Sequence, residues 1–184
     1  PPTGATPATA GKDDTADTAA APGVRSVVAS LSFPWNEPTA AAVFERAGYY
    51  WVVFDRHQNV DMKLQKKLGG SVVQFIEQLP SRSATVVRML IEPGYNASVR
   101  REGLLWVVDF MRQPYRPTHP VEISPQPRSP VGPRLFMPVS DAAKPLVLQD
   151  PEVGDRFITV PLLALGSGVY PPHSYPDATL PATI

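Results

Sequence analysis

The pattern of apolar and polar positions gives the middle of the chain a β-rich character. Short runs of β-branched and aromatic residues alternate there with turn residues rich in proline and glycine. Six or seven strands within about 90 residues is a density typical of a small β-sandwich. The predicted strands cover residues 24–33, 40–45, 49–55, 72–79 and 84–92, and a hairpin follows at 96–111.

One sequence pattern occurs twice in this region, with an offset of 55 residues. An arginine, a second residue and a glycine precede a run of aromatic and β-branched residues, first around Gly48 and then around Gly103. Each glycine suits a tight turn between two strands. The repetition predicts two similar β-hairpins that face one core, with the indoles of Trp51 and Trp106 filling it.

Two segments allow more than one secondary structure. Residues 40–44 contain three alanines that favour a helix, although Gly48 and the following β-branched run oppose its continuation. Residues 60–79 show both helical spacing and alternation, and Gly69-Gly70 would cost a helix interior about 2 kcal/mol. We expect a helical turn at 62–68 and a strand at 72–79. The almost continuous apolar run at 49–55 predicts that both faces of its strand are covered.

The two ends of the chain differ from this centre. Residues 1–23 are Ala, Thr, Pro, Gly and Asp without apolar periodicity, which is typical of a disordered linker. Fifteen of the 23 prolines lie between residues 114 and 184, and those at 114–133 favour an extended, semi-rigid connector. Strand character returns at 134–139, 145–148 and 155–165. Three strands make a poor independent core, so they either pack on the sandwich or begin a truncated second β domain; the second alternative is slightly favoured.

The predicted fold class is therefore all-β. A small β-sandwich built around two similar hairpins (residues 24–113) follows the linker (1–23). A proline-rich connector (114–133) then leads to a partial β unit with an extended tail (134–184).

Charge and composition exclude several classes of protein. The formal net charge is zero, which argues against a nucleic-acid-binding protein that neutralises phosphates, although residues 24–116 carry twelve Lys/Arg against eight Asp/Glu. No run of eighteen apolar residues could span a membrane. The chain has no cysteine, so disulfides and thiolate chemistry are excluded. A cysteine-free chain also suits a bacterial envelope protein.

Residues with catalytic or metal-binding potential show no recognised arrangement. No two of the three histidines, His57, His119 and His173, have metal-ligand spacing, and exposed loop positions are expected for them. The carboxylates could in principle supply an acid and base, but nothing marks a facing pair; they are Glu45, Asp55, Asp61, Glu102 and Asp109. We therefore predict no catalytic residues, no metal site and no cofactor.

Four residues are candidates for binding. Trp35 lies in a proline-bounded turn and is predicted to be exposed. Arg46, Arg100 and Arg101 precede the hairpin glycines and are predicted to point into solvent. If the two turns lay side by side, these arginines would form a small basic edge for an anionic ligand or an acidic partner.

The chain resembles the N-terminal portion of large alphaproteobacterial envelope proteins that carry tetratricopeptide repeats further on. The likeness covers residues 25–184 and rests on the repeated hairpin pattern, on Phe33-Pro34-Trp35 and on the turn Asp150-Pro-x-x-Gly154-Asp155. The first half also resembles AMIN domains, small β-sandwiches that localise periplasmic proteins to the cell wall. The resemblance implies a periplasmic, non-enzymatic scaffold.

These observations favour a non-catalytic periplasmic module that contacts an envelope protein complex or peptidoglycan through a sheet edge and the arginine-bearing turns. The alternative is a carbohydrate-binding or carbohydrate-processing fragment that uses tryptophans and a pair of carboxylates. The sequence indicates no oligomeric state.

Overall fold

The computed structural model describes residues 27–112, 124–126, 128, 130–136, 139 and 141–163, and it confirms an all-β fold. One short helix accompanies the strands. The elements are β1 (Val27–Pro34), β2 (Ala41–Arg46), β3 (Tyr49–Phe54), α1 (Met62–Gly69), β4 (Val73–Leu79), β5 (Thr85–Ile91), β6 (Asn96–Glu102), β7 (Leu105–Met111), β8 (Ser124–Gln126), β9 (Arg134–Phe136), β10 (Leu146–Gln149) and β11 (Arg156–Thr159).

Two antiparallel sheets pack face to face and form the sandwich. The first sheet has the order β1-β7-β6 and the second the order β2-β3-β5-β4. Alternate residues of both sheets point into one core, as the period of two along a strand requires. Its fully buried side chains include Leu31, Phe33, Val52, Phe54, Val87, Met89 and Phe110.

The two similar hairpins are present, β2–β3 in one sheet and β6–β7 in the other, but their structural offset is 56 residues rather than 55. Ala47 and Gly48 form the first two-residue turn, both with positive φ, whereas Gly103 is the first residue of the second turn. The glycines thus occupy different turn positions. A shift of one residue moves a side chain to the other face of a strand. Tyr50, not Trp51, is therefore the counterpart of Trp106 in the core.

Helix α1 closes one side of the sandwich. Its N-cap is Asp61, whose carboxylate accepts a hydrogen bond from the Leu64 amide at 3.0 Å. Gly70 ends the helix with a φ of 55°, as the double glycine predicts. The helix packs on the outer strands β1 and β4. The Gln65 side-chain amide donates to the Ser32 carbonyl on the edge of β1 at 2.7 Å.

A third layer covers the outer face of the second sheet. The hairpin β10–β11 packs there over Trp51 and Val53 of β3, with side chains from both of its strands. Ala41 and Leu162 exchange two main-chain hydrogen bonds, of 3.0 and 2.9 Å, where the chain leaves the hairpin. The β unit after the connector therefore packs back on the sandwich, and the favoured expectation of a truncated second domain is wrong for these strands. The prediction that both faces of β3 are covered is confirmed.

Part of the predicted connector is structured. Residues 124–126 form β8, which pairs with β9 within the 114–136 region, so the expectation of an extended spacer is wrong for that segment. The predicted linker at 1–23 and the extended tail lie outside the described residues, as do His119 and His173.

Candidate functional site

Trp35 is not an exposed contact residue. Its side chain is only 8% exposed and belongs to the sandwich core, where its ring centroid lies 4.9 Å from that of Phe54. The Trp35 amide donates to the Leu104 carbonyl at 3.1 Å and so continues the pairing of β1 with β7. The bounding prolines set the turn, but this backbone pairing directs the indole inward.

Arg46 points toward the third layer instead of into solvent. Its guanidinium forms an ion pair with Asp155, and its Nε lies 3.4 Å from a carboxylate oxygen of Asp150. The same guanidinium lies 4.7 Å from the ring centroid of Phe157 in β11. Arg46 therefore attaches the β10–β11 hairpin to the end of β2.

The other two candidate arginines also form contacts within the chain. Arg100 is half exposed and donates to Asp109 at 2.7 Å; it also pairs with Glu102. Arg101 donates to the Leu163 carbonyl at 2.5 Å and lies over the ring of Trp106. Arg100 is thus exposed but paired, whereas Arg101 is directed onto Trp106 and Leu163 rather than into solvent.

The two hairpin turns lie at opposite ends of the sandwich. The β6–β7 turn is beside Trp35, and Arg101 donates to Leu163. Because the adjacent Leu162 pairs with Ala41, the β6–β7 turn lies at the end of the sandwich where β2 begins. The β2–β3 turn follows Arg46, five residues further along β2, or about 17 Å at the rise of a strand. The predicted basic edge formed by both turns is therefore not present.

Arg88 is a charged residue at the centre of the described structure that the sequence analysis did not single out. Only 9% of it is exposed, and its guanidinium binds Glu77 at 2.5 and 2.9 Å and Glu152 at 3.1 Å. It also lies 4.3 Å from the ring centroid of Tyr49. The sequence signal for this ion-pair site is a single arginine inside the apolar run Thr85–Ile91. A charge in a buried strand requires partners of opposite charge.

The hairpin and the second sheet are complementary in charge and shape. The turn between β10 and β11 offers Asp150, Glu152 and Asp155, and the sheet offers two arginines. The Asp150 carboxylate is 1% exposed and also accepts the Glu152 amide at 3.0 Å, so the acidic turn is held in one conformation. Phe157 packs edge-on against the Trp51 ring at 5.2 Å. The two arginines of this surface are therefore bound by residues of the same chain.

Two tyrosines in these interfaces have raised pKa values. The Tyr49 hydroxyl is hydrogen-bonded to Glu152, and this bond to a carboxylate is the main reason that the pKa of Tyr49 is raised. Burial raises the pKa of Tyr50, with a further contribution from Glu45, whereas a hydrogen bond from the Ala97 main chain acts in the opposite direction. Both tyrosines are therefore neutral donors at pH 7.

Four of the five candidate carboxylates have structural partners, Glu102 in its pair with Arg100, whereas Glu45 is exposed. Asp55 accepts the Ala40 amide at 2.8 Å, and Asp61 caps the helix. Asp109 is 5% exposed and accepts from Arg100 and, at 2.5 Å, from the Ser30 hydroxyl. The arginines next to Asp55 and near Asp109 have other partners: Arg56 forms an ion pair with Glu37, and Arg112 donates a hydrogen bond to the Tyr95 hydroxyl.

One open cleft of about 620 Å³ lies beside β4, lined by His57, Asn59, Gln78, Leu79, Pro80, Ser81 and Arg82. His57 is exposed, as predicted, and its Nδ1 lies 3.2 Å from the Ala84 carbonyl. The Ser81 hydroxyl accepts the Ala84 amide at 3.3 Å. The cleft therefore presents polar groups without a nucleophile and base in contact.

The edges of the two sheets differ in what covers them. Within the described ranges, β1 is bonded by Gln65, β4 by the Lys66 ammonium at Val73, and β2 by Leu162. In the hairpin β6–β7, Glu102 and Leu105 form the hydrogen-bonded pair that closes the turn. Because main-chain groups alternate in direction along an edge strand, those of Val99 and Arg101 point away from β7.

No group of three or more His, Cys, Asp or Glu side chains suited to a metal ion occurs in the part of the chain that the structure covers. Over the same residues, no helix has the length and apolar character to cross a membrane. Comparisons with protein-family models, curated proteins and solved structures found no match.

Proposed function

We propose that this chain is a non-catalytic binding and assembly module of a larger cell-envelope protein in the periplasm. It pairs the edge of β6 with an extended segment of a protein partner. The observation that carries this proposal is the outward direction of the Val99 and Arg101 main-chain groups on the edge strand β6, where no other described segment bonds to them through its main chain. Such an edge accepts a further strand by main-chain pairing.

The side chains of β6 suit this role. Val99 is partly buried and packs against the core, whereas Ser98 and Glu102 are exposed on the outer face. An added strand would therefore meet an apolar rim on one side and hydrogen-bonding groups on the other. Main-chain bonds would supply affinity, and the alternating side chains would supply selectivity.

The periplasmic location follows from the resemblance to envelope proteins. The turn that contributes to this likeness, Asp150 to Asp155, holds the third layer in place through Arg46. A scaffold role is also consistent with the use of the candidate arginines and carboxylates in internal contacts. The carbohydrate alternative needed an exposed indole, and all three tryptophans are buried, so we do not carry it forward.

The test removes one main-chain donor from the β6 edge. Val99→Pro deletes an amide that points away from the ladder, and proline is tolerated on edge strands. Val99→Thr is the matched control, because it changes the side chain and keeps the amide. Both proteins would be used for cross-linking in envelope extracts and for co-sedimentation with purified murein sacculi.

We expect Val99→Thr to retain a defined cross-linked partner and Val99→Pro to lose at least about 90% of it, with neither bound by sacculi. Equal yields from both variants would contradict pairing at this edge. Co-sedimentation of both variants with sacculi would assign the binding function to peptidoglycan instead.

A further inference from the structure

Helix α1 packs Met62 against the core but directs its two leucines toward solvent, the reverse of the usual arrangement. Its buried residues are Gln65 and Gly69, whereas Leu64 and Leu68 are 47% and 40% exposed. A surface helix ordinarily directs its apolar side chains into the core. The reversal has a local cause, because the Gln65 amide bonds to the edge of β1 and the Gly69 Cα hydrogens lie against Val73, where a side chain would clash.

Two parallel rows of side chains result on the solvent side. Leu64 and Leu68 are four residues apart and so lie one turn from each other, and Lys63 and Lys67 form a second row beside them. Lys66 differs, because its ammonium bonds to the Val73 and Gly70 carbonyls. The helix itself has no acidic residue.

Exposed apolar side chains lie on this helix and on the two strands on which it packs. Single exposed apolar residues are normal on a protein surface. Here, however, five of the eleven large ones in the described residues belong to α1 or to the two strands on which it packs: Val27, Val28, Leu64, Leu68 and Phe75.

Within the described residues, no carboxylate forms an ion pair with Lys63 or Lys67. Asp61 accepts the helix N-cap hydrogen bond, Glu77 is bound by Arg88, and Glu92 accepts from the Gln74 side chain. The two exposed lysines therefore present their charge to solvent.

We infer that α1 is a contact site for the surface of an anionic lipid bilayer, with the leucine row at the acyl boundary and Lys63 and Lys67 at the headgroups. A basic helix with an apolar row is a form that lies in a membrane interface. A purely anionic polymer would explain the lysines but would leave the leucines without a partner. This inference goes beyond the proposed function and does not depend on the β6 edge.

The affinity is expected to be modest. Each lysine near an anionic surface contributes about a fivefold increase, and completing the burial of each half-exposed leucine contributes a similar factor. Such a contact would act as an auxiliary attachment and not as a stable anchor.

The test is sedimentation of the 184-residue chain with vesicles of phosphatidylglycerol and phosphatidylcholine (1:1) and with phosphatidylcholine alone, at low and high salt. We expect binding to the anionic vesicles that weakens with salt. Lys63→Gln/Lys67→Gln and Leu64→Ser/Leu68→Ser should each lower the affinity by about 25-fold.

Two control variants match these changes elsewhere on the surface. Arg82→Gln/Lys144→Gln removes two exposed charges, and Val147→Ser/Ile158→Ser removes an exposed apolar pair on β10–β11; both should bind as the parent does. Absence of binding to anionic vesicles, or an equal loss of affinity in the control variants, would overturn the inference. An acidic protein would then be the partner of the helix. Loss with the lysine variant but not with the leucine variant would overturn the lipid assignment in favour of a polyanion.

Discussion

At the scale of single residues, the outer face of the second sheet depends on Arg88. Its guanidinium lies in an almost fully buried position and receives carboxylates from its own sheet and from the third layer. Asp150 is more buried still and lies between Arg88, at 3.9 Å, and Arg46. Removing one cation leaves a buried carboxylate that is only partly compensated.

We expect Arg88→Met to lower the free energy of unfolding by about 3 kcal/mol, measured by urea denaturation, because breaking a buried charge network is costly even when the new side chain fills the space. Arg88→Lys should recover only part of this loss, because an ammonium cannot reproduce the paired bonds to Glu77. Arg82→Met, at an exposed position, is the control and should change stability by less than about 0.5 kcal/mol. Similar effects at positions 88 and 82 would contradict this role.

At the scale of elements, the two hairpins share a plan but differ in their turns. Ala47 adopts a φ of 50° in the first turn, a left-handed conformation that costs a residue with a side chain about 1 kcal/mol. Gly103 takes the equivalent place in the second turn without this cost. The first hairpin is therefore strained at one residue where the second is not.

We expect Ala47→Asn to raise the free energy of unfolding by about 0.5–1 kcal/mol, since Asn-Gly is the preferred pair for this turn. Gly103→Ala should lower it by about 1 kcal/mol, because nothing lies within 4 Å of the new Cβ and the effect comes from φ alone. Thermal unfolding followed by circular dichroism would measure both. A loss of stability in Ala47→Asn would show that the turn has a different conformation.

The strands and the helix could largely be predicted from the sequence because they depend on local signals. Alternation located the two hairpins, and Gly69-Gly70 placed the end of the helix within a residue. The face occupied by Trp51 could not be predicted in this way, since aligning the two glycines shifts the repeat by one position and inverts the face. The partners of Arg46 could not be predicted from the sequence either, because they lie more than 100 residues away along the chain.

At the scale of the whole molecule, the described residues form a three-layer β structure. The acidic turn of β10–β11 and its apolar side chains Leu146, Leu148 and Phe157 cover the only strand that the apolar pattern marked as buried on both faces. Of the three arginines that the sequence suggested for binding, this layer binds Arg46, and Leu163, which follows β11, accepts from Arg101. The two proposals rest on the β6 edge and on the exposed face of α1.

The most direct measurement is amide hydrogen exchange at Ala41 and Leu162, followed by NMR. These two amides bond to each other's carbonyls only if the third layer is attached to the sandwich. We expect both amides to exchange at least about 100-fold more slowly than in an unstructured peptide, and at similar rates. Exchange of both amides at the rate of a free loop would contradict the three-layer structure and would show that the hairpin is a separate body.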